Sequence, residues 1–146
     1  MDSSKIFSQK LCDENDRPAR EVVKEFYSRI GINLKDNPNT YGVDLISEDS
    51  SLCVEVECRH VWDEPEFPFD TVNFLNRKMK FVKLHKYNIF EFVIVSYDFK
   101  RLGIINRDTL MANIEKTSLR ALSNRFVAEG EKFYQIPKNQ FTWFLT

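Results

Sequence analysis

Two short runs of strand-forming residues, separated by a polar turn, constrain the fold of this chain more than any other feature. The first run covers residues 41–46 and the second covers residues 52–57. In the second run Val54 and Val56 point one way, so Glu55 and Glu57 point the other way. The Glu-Asp-Ser-Ser sequence at 48–51 is typical of a turn. The pattern therefore predicts a β-hairpin with carboxylates on one face.

The centre of this hairpin decides which carboxylates meet. A turn centred between Asp49 and Ser50 places Asp44 opposite Glu55, with Cβ atoms about 4.5–5.5 Å apart. Like charges directly opposite each other destabilise a sheet. Glu57 adds a third acid two residues after Glu55, so the three carboxylates favour a site for a hard divalent cation. Alternation alone also describes any half-exposed antiparallel strand. An aspartate among strand-forming residues favours the functional interpretation.

The arrangement of Asp44, Glu55 and the residue two positions later resembles the motif of the PD-(D/E)xK nuclease superfamily, which has the restriction-endonuclease-like fold. The resemblance covers roughly residues 15–105 and makes Asp44 the first motif acid and Glu55 the second. Val56 matches the spacer residue, whose backbone carbonyl often helps to bind metal in the family. Glu57 stands where lysine is usual, as it does in some restriction enzymes of the family.

The resemblance implies a metal-dependent phosphodiesterase that hydrolyses DNA in the manner of an endonuclease, with Mg²⁺ or Mn²⁺ as cofactor. Asp44, Glu55 and the Val56 carbonyl would hold the metal, and Glu57 would complete the site or orient the attacking water. The family often has a glutamate on the helix before the first catalytic strand, and Glu21 or Glu25 matches that position.

A basic segment follows the hairpin, since no acid occurs between residues 71 and 90. Interleaved apolar residues predict a helix over 76–86, and its cations predict binding to phosphates of a nucleic acid, most simply DNA. Lys78 or Arg77 is expected to neutralise charge on the phosphate, the task of the missing motif lysine. The other interpretation is a solvated helix face. The cations of this segment are Arg77, Lys78, Lys80, Lys83 and Lys86.

Composition sets further limits. A chain of 146 residues fits one domain, and the resemblance implies that residues 1–146 form a single nuclease-like domain. No apolar run approaches the roughly 18 residues of a membrane span, and no secretory leader is evident. Three cysteines without a CxxC pair argue against disulfides or zinc and favour the cytoplasm. Because the net charge is −1, a nucleic-acid surface must be a local patch.

The remaining elements are predicted from helical or strand periodicity and from their end signals. Their order predicts an α/β (α+β) fold in which helices flank a central mixed sheet. The predicted elements are a helix from Asp16, with Pro18 in its first turn and Gly31 as C-cap, buried strands over 89–96 and 102–106, a helix over 107–113 with Asp108 as N-cap, an edge strand over 133–136, and loops over 35–40 and 62–68.

Several alternatives stay open from the sequence. The chain could keep the nuclease fold without catalysis and bind nucleic acid or a protein partner, an alternative supported by the absent motif lysine. Trp62, Phe67 and Phe69 could stack on the bases of a nucleic acid or pack against the edge of the hydrophobic core. Trp143 and Phe144 could pack within the chain or form a homodimer contact. The sequence does not distinguish DNA from RNA or endonuclease from exonuclease action.

Overall fold

The computed structural model describes the secondary structure of residues 3–114, 120–124 and 127–146, and the side chains of residues 16–114 and 132–146. Short 3₁₀ turns at Asn76–Lys78 and Lys138–Gln140 join some of the elements. The helices are α1 (Ser3–Arg29), α2 (Met79–Val82) and α3 (Arg107–Ile114). The strands are β1 (Leu34–Asp36), β2 (Leu45–Ser47), β3 (Leu52–Arg59), β4 (Thr71–Leu75), β5 (Ile89–Ser96), β6 (Arg101–Asn106), β7 (Arg120–Asn124), β8 (Val127–Pro137) and β9 (Thr142–Leu145).

Two sheets organise the described part of the chain. The central sheet has the strand order β1-β2-β3-β5-β6-β9, and β3 and β5 form its parallel pair. A smaller antiparallel sheet has the order β4-β8-β7. The chain is therefore mixed α+β with a mixed central sheet, as the order of elements predicts.

The hairpin has the register that its sequence predicts. Leu45 pairs with Val54 and Ile46 pairs with Cys53, so Asp44 comes opposite Glu55 just beyond the last paired residues. The turn is closed by Asp49, whose Oδ1 accepts hydrogen bonds from the Ser47 hydroxyl at 2.7 Å, the Ser51 amide at 3.0 Å and the Ser51 hydroxyl at 2.7 Å. These bonds stabilise the turn without help from the rest of the fold, which is why the register could be predicted.

The first helix differs from its prediction at one end. It begins at Ser3 rather than near Asp16, so Pro18 lies inside it. An interior proline removes one backbone hydrogen bond and costs about 3 kcal/mol or more. Burial of Ala19, Val23 and Tyr27 against the central sheet opposes that cost.

The other end of α1 confirms the predicted glycine cap. Gly31 has a φ of 86°, a conformation that suits glycine. Its amide donates to the Ser28 carbonyl at 3.0 Å, and the Ile32 amide donates to the Tyr27 carbonyl at 2.9 Å. This is the Schellman arrangement, which satisfies the last carbonyls of the helix.

The central sheet is covered on both faces. Val54, Val93 and Val95 face α1, whereas the other face, which includes Cys53 and Phe92, packs against the small sheet. Phe74 of β4 meets Phe92 edge-on at 4.9 Å between ring centroids. By the alternation of β3, Glu55 and Glu57 share the face of Cys53 and are therefore directed between the two sheets.

The C-terminal part of the chain corrects two predictions. The strand predicted at the edge over 133–136 belongs to β8, which is the middle strand of the small sheet, because β4 and β7 pair with its two sides. Asn106 rather than Asp108 caps α3, since the Asn106 Oδ1 accepts the Thr109 amide at 2.9 Å. The loop predicted over 35–40 contains residues of β1, whereas the loop over 62–68 is confirmed.

The basic segment does not form the helix predicted over 76–86. It consists of a 3₁₀ turn, the single helical turn α2 and a loop. The Arg107 guanidinium holds this loop by donating to the carbonyls of Val82, Leu84, Tyr87 and Asn88 at 2.8–3.3 Å. Side-chain donors thus replace the backbone bonds that a longer helix would make. Among the described residues, no helix has the length and apolar character needed to cross a membrane.

Candidate active site

Asp44 and Glu55 meet where the hairpin opens. The Asp44 carboxylate accepts the Val56 amide through Oδ2 at 2.8 Å. The Asp44 amide donates to Glu55 Oε1 at 3.2 Å. Glu55 is buried, while Asp44 is partly exposed. One hydrogen bond thus joins the two acids that the sequence places opposite each other, and a second joins Asp44 to Val56, the residue after Glu55.

Lys78 joins these acids from a distant part of the chain. It ends the 3₁₀ turn after β4, and its side chain is buried between the two sheets. The Nζ atom lies 3.1 Å from Glu55 Oε2, 2.9 Å from Glu57 Oε1 and 5.8 Å from the centre of the Phe92 ring. Burial lowers the pKa of Lys78, but Glu57 and Glu55 outweigh it and raise the pKa, so the ammonium stays charged.

Glu57 is engaged by two cations. Lys78 contacts one oxygen, and the Arg59 guanidinium lies 2.6 Å from the other. Arg59 also donates to the Asn73 carbonyl at 2.6 Å, which links this pair to β4. Burial opposes ionisation, yet Lys78 and Arg59 hold the pKa of Glu57 at about 2. Glu57 therefore fixes the Lys78 ammonium, and its expected role in completing the metal site or orienting the attacking water stays a prediction.

The acids near the hairpin repel one another. Burial and the Asp44 carboxylate raise the pKa of Glu55 and Lys78 opposes them, so that the pKa of Glu55 is about 8. Asp16 of α1 shows the same pattern, because burial and then Asp44 raise its pKa while Arg20, at 2.6 Å, opposes them. A third carboxylate thus acts on Asp44, and it comes from α1.

The acid of α1 that lies near Asp44 is Asp16, whereas the sequence predicted Glu21 or Glu25. Glu21 is exposed and accepts a hydrogen bond from Lys24 at 3.0 Å, and Glu25 is also exposed. Five residues turn a helix by roughly 140°, so Glu21 and Asp16 point in different directions. Asp16 precedes the buried residues Ala19 and Val23 by three and seven positions, and this spacing is the signal that could have identified it.

The donor set fits a small, hard cation that keeps part of its water. Among the described side chains, no group of three or more His, Cys, Asp or Glu residues is arranged to hold a metal ion. Mg²⁺ needs fewer protein ligands, since one or two carboxylates with substrate phosphates suffice. Asp44 and Glu55 provide two. The Val56 carbonyl provides a third oxygen, because the amide and carbonyl of one strand residue point the same way and this amide bonds Asp44.

The other predicted cations lie outside this cluster. Arg77, Lys80, Lys83 and Lys86 are exposed, whereas Lys78 is buried. The ammonium of Lys80 lies 5.0 Å from the centre of the Phe81 ring, and that of Lys86 lies 5.7 Å from the centre of the Tyr87 ring. The basic segment therefore divides into one buried lysine, which belongs to the acidic cluster, and an exposed cationic loop.

Comparison with known proteins adds no identification. The sequence matches no protein-family model and no curated protein. The interpretation of the cluster therefore depends on its own geometry and on the resemblance of its residues to the PD-(D/E)xK motif.

Proposed function

We propose that this protein is a Mg²⁺- or Mn²⁺-dependent phosphodiesterase that hydrolyses DNA in the manner of an endonuclease. The observation that carries the proposal is the convergence of Asp44 and Glu55 with the buried Lys78 ammonium at one end of the hairpin. Two acids and one lysine are the functional groups of the PD-(D/E)xK motif. In this chain the lysine comes from the segment after β4 instead of from the second motif strand.

Asp44, Glu55 and the Val56 carbonyl are the groups proposed to hold the ion. The Val56 amide keeps the Asp44 carboxylate oriented, and the Asp44 amide does the same for Glu55. A bound Mg²⁺ would polarise the phosphate and lower the pKa of the attacking water. Asp16 is a candidate outer residue of this site, in place of Glu21.

Lys78 is proposed to stabilise negative charge that develops on the phosphate. Its Nζ atom is held by Glu55 and Glu57, so little reorganisation is needed when the substrate binds. Glu57, itself fixed by Arg59, is a positioning residue for this ammonium. The exposed Lys80, Lys83 and Lys86 are proposed to contact the DNA backbone, and cleavage of both strands would favour a homodimer.

Nicking of supercoiled plasmid in Mg²⁺ or Mn²⁺ tests the proposal. Asp44→Asn should lower the rate roughly 100-fold or more, the scale of losing one preorganised electrostatic group. DNA binding in Ca²⁺ should be largely unchanged, since Asp44 carries little of the phosphate affinity. Glu48→Gln, which removes an exposed charge from the turn of the same hairpin, is the matched control and should cleave like wild type.

A second test addresses Lys78 together with Glu57, the acid nearest to its ammonium. The double variant Lys78→Met, Glu57→Gln removes one positive and one negative charge together, which lowers the cost of losing a buried cation, although Glu55 also loses its ammonium partner. It should bind DNA in Ca²⁺ and lose cleavage. Wild-type cleavage rates in this variant would show that Lys78 acts only in folding.

The catalytically inactive nuclease-fold module is the second candidate function, and a specific observation favours it. Both carboxylate oxygens of Glu55 have partners inside the protein, the Asp44 amide and the Lys78 ammonium. Such mutual satisfaction also characterises ion-pair clusters that serve only stability. If wild type binds linear, branched or single-stranded DNA but cuts none of them with either metal, the protein is a DNA-binding module and the nuclease hypothesis is wrong.

A further inference from the structure

A pocket of about 500 Å³ lies at the edge of the central sheet formed by β9. Its size is within the range of small-molecule sites in proteins. Four aromatic side chains, those of Trp62, Phe67, Trp143 and Phe144, contribute to its lining. Neither the hairpin acids nor Lys78 take part, so the pocket is separate from the candidate active site.

The aromatic rings of this pocket are held in fixed relative orientations. Trp143 stacks on Phe67 with centroids 5.7 Å apart and on Phe141 with centroids 5.6 Å apart, and it meets Trp62 at 88°. Gly103 pairs with Trp143 across β6 and β9, and a Cβ there would lie 2.6 Å from the indole. The glycine thus lets the ring lie flat against the sheet. Because Trp143 is still 36% exposed, ring surface is available to a ligand.

The charged groups of the pocket point to a ligand with a negative charge. Arg101 has no salt bridge within the described part of the chain, although its charge helps to lower the pKa of Asp98. Lys138 donates to the Phe67 carbonyl at 3.4 Å, a weak bond that leaves ammonium protons available. These two cations outnumber Glu66, the one acid of the described lining.

We propose that this pocket binds a nucleotide. The base would stack on the aromatic rings, an arrangement that every base permits because each has a π-face. The phosphate would bind Arg101 and Lys138 through charge-assisted hydrogen bonds. A free mononucleotide and an unpaired nucleotide of a nucleic-acid strand share this chemistry.

Tryptophan fluorescence reports directly on the pocket, because both tryptophans of the chain line it. Wild type is titrated, without divalent metal, with AMP, adenosine, inorganic phosphate and a single-stranded oligonucleotide carrying a 5′-phosphate. AMP should give a saturable change in emission at lower concentration than adenosine or phosphate. An oligonucleotide that binds more tightly than AMP would identify a strand as the source, and equal affinity would identify the free nucleotide.

Substitutions connect the signal to the proposed contacts. Arg101→Gln should weaken AMP binding about tenfold, the typical scale of one hydrogen bond to a charged group, and leave adenosine binding unchanged. Lys100→Gln removes an exposed neighbouring charge outside the pocket and is the control. The absence of any saturable change in wild type, or equal affinity of wild type and Arg101→Gln for AMP, would overturn the proposal. Asp44→Asn should bind AMP normally, so a failure of the proposed nuclease function leaves this test intact.

Discussion

At the scale of single residues, the candidate site is a compact set of buried charges. Glu55 and Lys78 are almost fully buried, and each depends on the other to offset the loss of water. Asp44 adds a second acid next to Glu55, so the cluster holds more negative charge than Lys78 alone can balance. Burial is the main reason that the pKa of Glu55 is raised, and the Asp44 charge adds to it.

The contribution of Glu55 to protein stability should fall as pH rises from 4.5 to about 8. Folding raises the pKa of Glu55 above its ordinary value of 4.5, so the folded state binds the proton more tightly than the unfolded state in this window. Glu55 alone contributes a slope of at most about 1.4 kcal/mol per pH unit. The free energy of urea unfolding, measured across this pH range without divalent metal, tests the expectation.

The variant Glu55→Gln isolates the effect of this carboxyl group. His60 also titrates near this window, and burial lowers its pKa, which makes stability rise with pH and opposes Glu55. The difference between wild type and Glu55→Gln cancels the His60 contribution, and it should change with pH across the window. A difference that is independent of pH would show that Glu55 is ionised throughout. Glu48→Gln should follow wild type.

At the scale of elements, the basic segment contains one buried lysine and several exposed cations, which its sequence alone does not distinguish. The 3₁₀ turn directs Lys78 into the acidic cluster, whereas Lys80 in α2 and Lys83 and Lys86 in the loop held by Arg107 are exposed. The proposed contacts with phosphates therefore belong to the exposed lysines, and the proposed neutralisation of charge belongs to the buried Lys78. These roles can be separated by substitution.

Replacing Lys80, Lys83 and Lys86 by glutamine should weaken DNA binding for all sequences. Each lost phosphate contact should reduce the slope of log K against log salt by about 0.9. Titrations of labelled duplex DNA at several salt concentrations in Ca²⁺ measure the slope. The matched control replaces three exposed lysines elsewhere, Lys35, Lys100 and Lys132, and changes the net charge equally. Equal slopes in the two triple variants would show that the loop is only a solvated surface.

At the scale of the whole molecule, metal binding should be linked to unfolding. An ion that binds only the folded state stabilises it by about 2.7 kcal/mol at 100 times the dissociation constant. Mg²⁺ and Mn²⁺ should therefore raise the melting temperature of wild type and of Glu48→Gln but not that of Asp44→Asn. Calorimetric titration checks the same expectation. Equal responses of wild type and Asp44→Asn would place any bound metal away from Asp44.

The hairpin was predictable because the residues that determine its turn and its strand faces are close together in the sequence. The turn is closed by bonds among Ser47, Asp49 and Ser51, all within five residues, and period-two alternation assigns the faces of β3. Gly31 was predictable for the same reason, since the helix end needs a residue that tolerates positive φ. Strand β5 was predictable from its continuous apolar run, which suits a strand buried on both faces.

Features that depend on distant contacts were not predictable. Helix α1 continues through Pro18, against the local signal of that residue. Helix α2 ends where Arg107, which lies far along the chain, binds the carbonyls of the following loop. Asp16 required knowledge of which face of α1 meets the sheet. Strands β1 and β9 are only three and four residues long, too short for periodicity to identify them.

The sequence by itself determined that Asp44 and Glu55 would face each other, because turn chemistry and strand alternation act over a few residues. Only the tertiary structure decided that Lys78 would lie between Glu55 and Glu57. Parallel strands cannot be joined by a tight turn, so the connection from β3 to β5 must cross a face of the sheet. That connection carries β4 and Lys78 over the acidic face, and the choice of face depends on core packing rather than on local sequence.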